Sequence, residues 1–87
     1  MLHTYNPSYE KAPAWAKFAI EQFAKRGNNA AYRETATHNW VWGPKGSIVL
    51  DKRTNTLSGV RPGGFPVHEG SEISFEAILG LIRSVMR

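Results

Sequence analysis

The hydrophobic pattern of this chain changes period twice, and those two changes limit its possible folds more than any other feature. Over Ala14–Arg26 the residues are good helix formers with helical spacing. At 100° per residue, Ala12, Trp15, Ala16, Ala19, Ile20, Phe23 and Ala24 fill one broad arc, and Lys17, Glu21, Gln22 and Lys25 fill the other. Phe18 falls on the polar side, where it either caps the core from its edge or serves as an exposed contact. Pro13 suits the first turn, where its missing N–H costs nothing, and Gly27-Asn28-Asn29 is a C-terminal stop.

From Ala30 to Val60 the period falls to two and turn residues recur at short intervals. The spacing predicts strands over 31–36, 38–42, 47–51 and 56–60, the first two reading equally as one long strand or a bulged pair. Gly43-Pro44-Lys45-Gly46 and Lys52-Arg53-Thr54-Asn55 are the hairpin turns. Ile48 and Leu50 face one way and Val49 the other. After a flexible Arg61-Pro62-Gly63-Gly64, Phe65-Pro66-Val67-His68 suits a short edge strand.

Helical spacing then returns. Ser74, Phe75, Ile78, Leu81, Ile82, Val85 and Met86 form a stripe, with Gly70-Ser71 as a cap. Glu72 and Glu76 suit the positive end of the helix dipole, and Arg83 and Arg87 the negative end. Gly80 lies off the stripe, where glycine costs about 1 kcal/mol against alanine unless close packing needs it. Residues 1–12 show no periodicity and read as an irregular lead. The expectation is one small α+β domain over residues 13–87: a helix, an antiparallel β-meander of three or four strands, and a helix.

The charge is segregated. From Lys11 to Arg61 there are nine Lys or Arg against Glu21, Glu34 and Asp51, whereas from Pro62 onward Arg83 and Arg87 face Glu69, Glu72 and Glu76. A basic field favours RNA, DNA or an acidic protein patch as partner, although a net charge of +4 also serves solubility alone. There is no cysteine, hence no disulfide or thiolate metal site. The longest apolar stretch, near Ile78–Ile82, is far short of the ~20 residues that span a bilayer. With no basic segment followed by an apolar run at the start, a cytoplasmic location with no membrane partner is expected.

Two of the three tryptophans and one of the three histidines share the pentapeptide His38-Asn39-Trp40-Val41-Trp42. On a strand His38, Trp40 and Trp42 take one face and Asn39 and Val41 the other. That face is either the core side of a sheet or an exposed aromatic platform with an acid–base group at its edge. A domain this small needs large aromatics inside, which favours both indoles packing beneath the helices while His38 caps a strand end. On an exposed platform, His38 can take the proton from a ribose 2′-hydroxyl so that it attacks the adjacent phosphate without a metal. Lys45, Lys52, Arg53 or Arg61 would then stabilise the phosphoryl oxygens, and Trp40 or Trp42 would stack on a base for about 1–3 kcal/mol. Other chemistries lack their residues. His3, His38 and His68 are isolated from one another and from clustered carboxylates, so neither a metal nor a cofactor is expected. Gly43-Pro44-Lys45-Gly46-Ser47 has phosphate-loop residue types but a hairpin context.

Pro66-Val67-His68-Glu69-Gly70-Ser71-Glu72-Ile73, leading into Ala77-Ile78-Leu79-Gly80-Leu81-Ile82-Arg83, resembles the end of HicA-type toxins. The front is similar too: a helix ending Lys25-Arg26-Gly27, a strand, then His38 followed by aromatics. The resemblance implies metal-independent mRNA cleavage with His38 as the catalytic histidine, and an antitoxin partner. Ala36-Thr37-His38 stands where that family has Gly-Ser-His, and Ser47–Val60 would be an inserted hairpin. The element order also resembles double-stranded-RNA-binding domains. Ala24-Lys25-Arg26-Gly27, Tyr32-Arg33-Glu34-Thr35 and Gly43-Pro44 are similar to their first helix, strand and loop, which implies Glu21 in the minor-groove-facing position. Their phosphate-gripping lysine cluster is replaced here by Glu69, Glu72 and Glu76, against ordinary duplex binding.

The expected function is thus a small basic RNA-contacting protein of HicA-like type, an endoribonuclease if His38 acts as general base. Its nucleic-acid contacts are Lys17, Glu21, Lys25, Trp40, Trp42, Lys45, Lys52, Arg53 and Arg61. The rival is a non-enzymatic protein of the kind phages and mobile elements encode, one that inhibits or adapts a host enzyme.

Overall fold

The computed structural model describes residues 7–86, with the side chains of Pro7, Phe65 and residues 68–71 outside the description. The readings at His3, at the His68 and Glu69 side chains and at Arg87 therefore lie outside the described residues. The elements are α1 (Pro7–Lys11), α2 (Ala14–Lys25), β1 (Ala31–Glu34), β2 (His38–Gly43), β3 (Gly46–Asp51), β4 (Thr56–Arg61), β5 (Phe65–Ser71) and α3 (Phe75–Val85). The strands form one antiparallel sheet in chain order, β1 to β5. The α+β class is as expected, with one strand more than the three or four anticipated.

α2 begins after Pro13, which is the N-cap itself (φ −68°, ψ 169°) rather than a residue of the first turn. It ends where Gly27 takes φ +76°, a conformation open to glycine at no steric cost. The lead contains a short helix that periodicity did not signal. α1 lies against β1, and the Ser8 hydroxyl accepts the Tyr32 N–H at 3.0 Å, closing an edge donor of the sheet. The cap of α3 also differs from expectation. β5 runs through Ser71, so the chain is still extended at Gly70-Ser71, and the cap falls at Ser74, whose Oγ accepts the Ala77 N–H at 3.0 Å.

Both long helices cover one face of the sheet. Trp15, Ala16, Ala19, Ile20 and Phe23 of α2 and Ile78, Leu81, Ile82 and Val85 of α3 enclose Val41, Ile48, Leu50 and Leu57 of the strands. Of the three tryptophans, Trp15 is the core one. α3 sits so close to β4 that a Cβ on Gly59 would fall 2.8 Å from Val85 Cγ1. Phe18 sits at the edge of this core and stacks on Phe75, centroids 4.4 Å apart, leaving Phe75 60% exposed rather than buried in the stripe.

Asn28 fastens the helix layer to the sheet. It is fully buried beyond the end of α2; its Nδ2 donates to the Gly46 carbonyl and its Oδ1 accepts the Lys45 N–H, both at 3.0 Å. Its amide occupies the place where Gly43 would carry a Cβ, 2.5 Å from Oδ1, so only glycine fits at that position.

Candidate nucleic-acid interface

Gly43 against Asn28, and Val41 opposite the core residue Ile48, show which face of β2 is turned to the helices. Alternation puts Val41 and Asn39 on the helix side with Gly43, and His38, Trp40 and Trp42 on the other. Val41 is fully buried in the core, while Trp42 is 52% exposed and Trp40 is half-buried outside the core cluster. The two indoles therefore do not pack beneath the helices, which corrects the core-side expectation. The registers extend the open face: Arg33 pairs with Trp40 from β1, Val49 pairs with Trp40 from β3, and Ser58 pairs with Val49 from β4. Val49 is only 8% exposed and is not part of the core under the helices.

His38 marks one end of this face. Its Nδ1 shares a hydrogen bond of 2.8 Å with the Thr37 hydroxyl, and its ring centroid lies 6.4 Å from that of Trp40. Across the β2–β3 pairing stands Asp51, with Oδ2 at 3.9 Å from His38 Nε2. Asp51 is held in turn by Arg53, whose backbone N–H reaches Oδ1 at 2.9 Å and whose guanidinium lies 3.5 Å from Oδ2. The backbone N–H of Arg53, then its guanidinium, and last the His38 charge lower the Asp51 carboxyl below its ordinary value, against a smaller opposing effect of desolvation. Lys52 donates to Glu34 Oε2 at 3.0 Å and to the Thr35 carbonyl at 2.7 Å.

The expected site residues thus fall into three groups. His38, Trp40 and Trp42 share the open face, and Lys52 and Arg53 stand at its His38 end, each paired with a carboxylate. Lys45 lies in the turn after Trp42, and Arg61 donates from Nε to the Ser84 carbonyl at 3.4 Å, beside the last turn of α3. Those two are at the other end of β2, about 16 Å away at the usual strand rise, and do not join Lys52 and Arg53 around His38. Lys17, Glu21 and Lys25 belong to α2, on the covered side of the sheet. There Tyr9 OH donates to Glu21 Oε2 and Lys17 Nζ lies 5.4 Å from the Tyr9 ring centroid. Arg33 is the platform residue that sequence reasoning missed, because its partnership with Trp40 depends on the β1–β2 register.

Among the described residues no group of three His, Cys, Asp or Glu is placed to hold a metal, and no helix is long and apolar enough to cross a membrane. The chain matches no protein-family model, no curated protein and no solved structure.

Proposed function

We propose that this chain binds single-stranded RNA on the open face of its sheet. The observation behind this reading is the uncovered, cross-strand set Trp42, Trp40 and Arg33 in a protein with a net charge of +4. An exposed indole gives a base a stacking surface worth about 1–3 kcal/mol, and any base supplies the π-face. A single strand fits better than a duplex. Stacking requires bases splayed from their helix, and the exposed Glu72 and Glu76 before and within the first turn of α3 would repel a phosphate backbone there.

A second reading, cleavage, draws on the pairing of His38 with Asp51. A carboxylate 3.9 Å from Nε2 stands where it would orient the ring as the ring takes a proton from a 2′-hydroxyl. The hydroxyl oxygen would then attack the adjacent phosphorus and the 5′-oxygen would leave, giving a 2′,3′-cyclic phosphate with no metal in the step.

The test is incubation of labelled single- and double-stranded RNA in EDTA with the wild-type chain, Trp42→Ala and His38→Ala. Single-strand binding should weaken by roughly 5- to 150-fold in Trp42→Ala, the range corresponding to a lost stack. Cleavage abolished in His38→Ala with binding retained supports the second reading. Binding without cleavage leaves a binding protein. Absence of salt-sensitive binding in the wild type overturns both and directs attention to an acidic protein partner or a host enzyme.

A further inference from the structure

Four cations from four different segments meet at the Trp42 end of the molecule. Arg26, the C-cap of α2, and Arg83, in the last turn of α3, flank one hollow of about 570 Å³ floored by Ile82 and Met86. Since Phe18 of α2 also stacks on the first residue of α3, the two helices run in the same direction and end together. Arg61 reaches the Ser84 carbonyl at that same end. Lys45 arrives from the β2–β3 turn, its Nζ 3.6 Å from where a Cβ on Gly27 would stand, one residue past Arg26.

These cations differ from those at the His38 end. Lys52 and Arg53 are each within ion-pair distance of a carboxylate, whereas among the described residues none lies so close to Arg26, Lys45, Arg61 or Arg83. Complementing the helix dipoles explains part of the arrangement, because Arg26 donates to the Gln22 carbonyl at 3.0 Å and Arg61 to that of Ser84. Arg83, in the last turn of α3, suits that dipole too, but neither its side chain nor that of Lys45 makes a hydrogen bond to a described residue. Positive charge without an ion-pair partner among the described residues therefore gathers at the helix ends and at the β2–β3 turn that follows Trp42.

We infer that this end is a phosphate track continuing the platform. A single strand with bases stacked on Trp40 and Trp42 crosses the β2–β3 turn and lays its next phosphates on Lys45, Arg26 and Arg83. This rests on the RNA-binding reading and adds a length requirement: a strand covering only the platform, about three nucleotides, misses the track. The ligand is accordingly a single-stranded polynucleotide of at least about five nucleotides, within the usual site sizes for such surfaces.

The experiment is fluorescence anisotropy of end-labelled oligouridylates of about 3 and about 12 nucleotides across a salt series, with the wild type and the Arg26→Gln/Arg83→Gln double variant. A thermal melt of each protein confirms folding, and Lys11→Gln in α1, compared per charge removed (one against two), controls for the reduced charge. For the long oligomer the slope of log affinity against log salt should fall by about 1.4 in the double variant, about 0.7 for each phosphate no longer neutralised. Binding of the short oligomer and its quenching of tryptophan emission should be unchanged. If the long oligomer binds the variant with wild-type slope and affinity, or Lys11→Gln lowers the slope as much, the track is wrong while the platform reading stands. If neither oligomer binds the wild-type chain, both fail.

Discussion

Asn28 locks the end of α2 to the β2–β3 turn. Its two hydrogen bonds fix the Lys45–Gly46 backbone there, and its amide leaves room only for a glycine at 43, on the same face of β2 as buried Val41 and opposite Trp40 and Trp42. Asn28→Ala should cost about 2–3 kcal/mol by leaving partners unsatisfied, read as a lower urea midpoint with little change in slope. Asn28→Asp should be at least as costly, because a carboxylate cannot donate to the Gly46 carbonyl. Two surface carboxyls set the acid response. Lys52, chiefly through its hydrogen bond, lowers Glu34 below 4.5, and the Arg53 N–H lowers Asp51 below 3.8. A carboxyl lowered in the folded state adds stability that is complete above its unfolded value and is lost as pH falls through the folded one. The melting midpoint should therefore drop as pH falls below about 4.5, and drop less in Lys52→Met. At this scale the sequence displayed the pentapeptide but not its direction, because alternation gives relative phase only. The phase is seen in the burial of Val41 and in the contact of Gly43 with Asn28, whose residue type in the sequence signalled nothing beyond a helix stop.

At the scale of elements, α2 and the four strands of residues 31–61 were legible because each signal is local: a 3.6-residue period ended by glycine, then period two broken by turn residues. What was not legible depended on neighbours. α1 has too few residues for a period and is placed by its contacts with β1. The extent of β5, and with it the cap at Ser74, follows from pairing with β4, whose register shifts between Leu57 and Val60. Gly80 is the element-scale exception, an interior helical glycine with no atom within 4 Å of where its Cβ would stand. Close packing does not require it there. Gly80→Ala should raise stability by about 1 kcal/mol, seen as an increased denaturant midpoint. A drop in stability would show that the open space at Gly80 is needed by the fold.

Across the whole molecule, the two faces of one sheet divide the work. The face under α2 and α3 holds the hydrophobic core, and among the described residues no helix lies over the face bearing Arg33, His38, Trp40 and Trp42. Charge is divided along the other axis, with cations ion-paired at the His38 end and, among the described residues, cations without a carboxylate partner at the helix C-termini. The α+β architecture was readable from periodicity, whereas this division was not, since it arises from registers and crossing helices that bring distant residues together. The three tryptophans report on it directly: Trp15 lies in the core and Trp40 and Trp42 on the open face. The most direct measurement is a titration of the ¹⁵N-labelled chain with a single-stranded RNA oligomer, following the three indole N–H signals. The Trp40 and Trp42 signals should shift with added RNA while that of Trp15 holds still. Saturable RNA binding that leaves both open-face indoles unmoved would contradict the account.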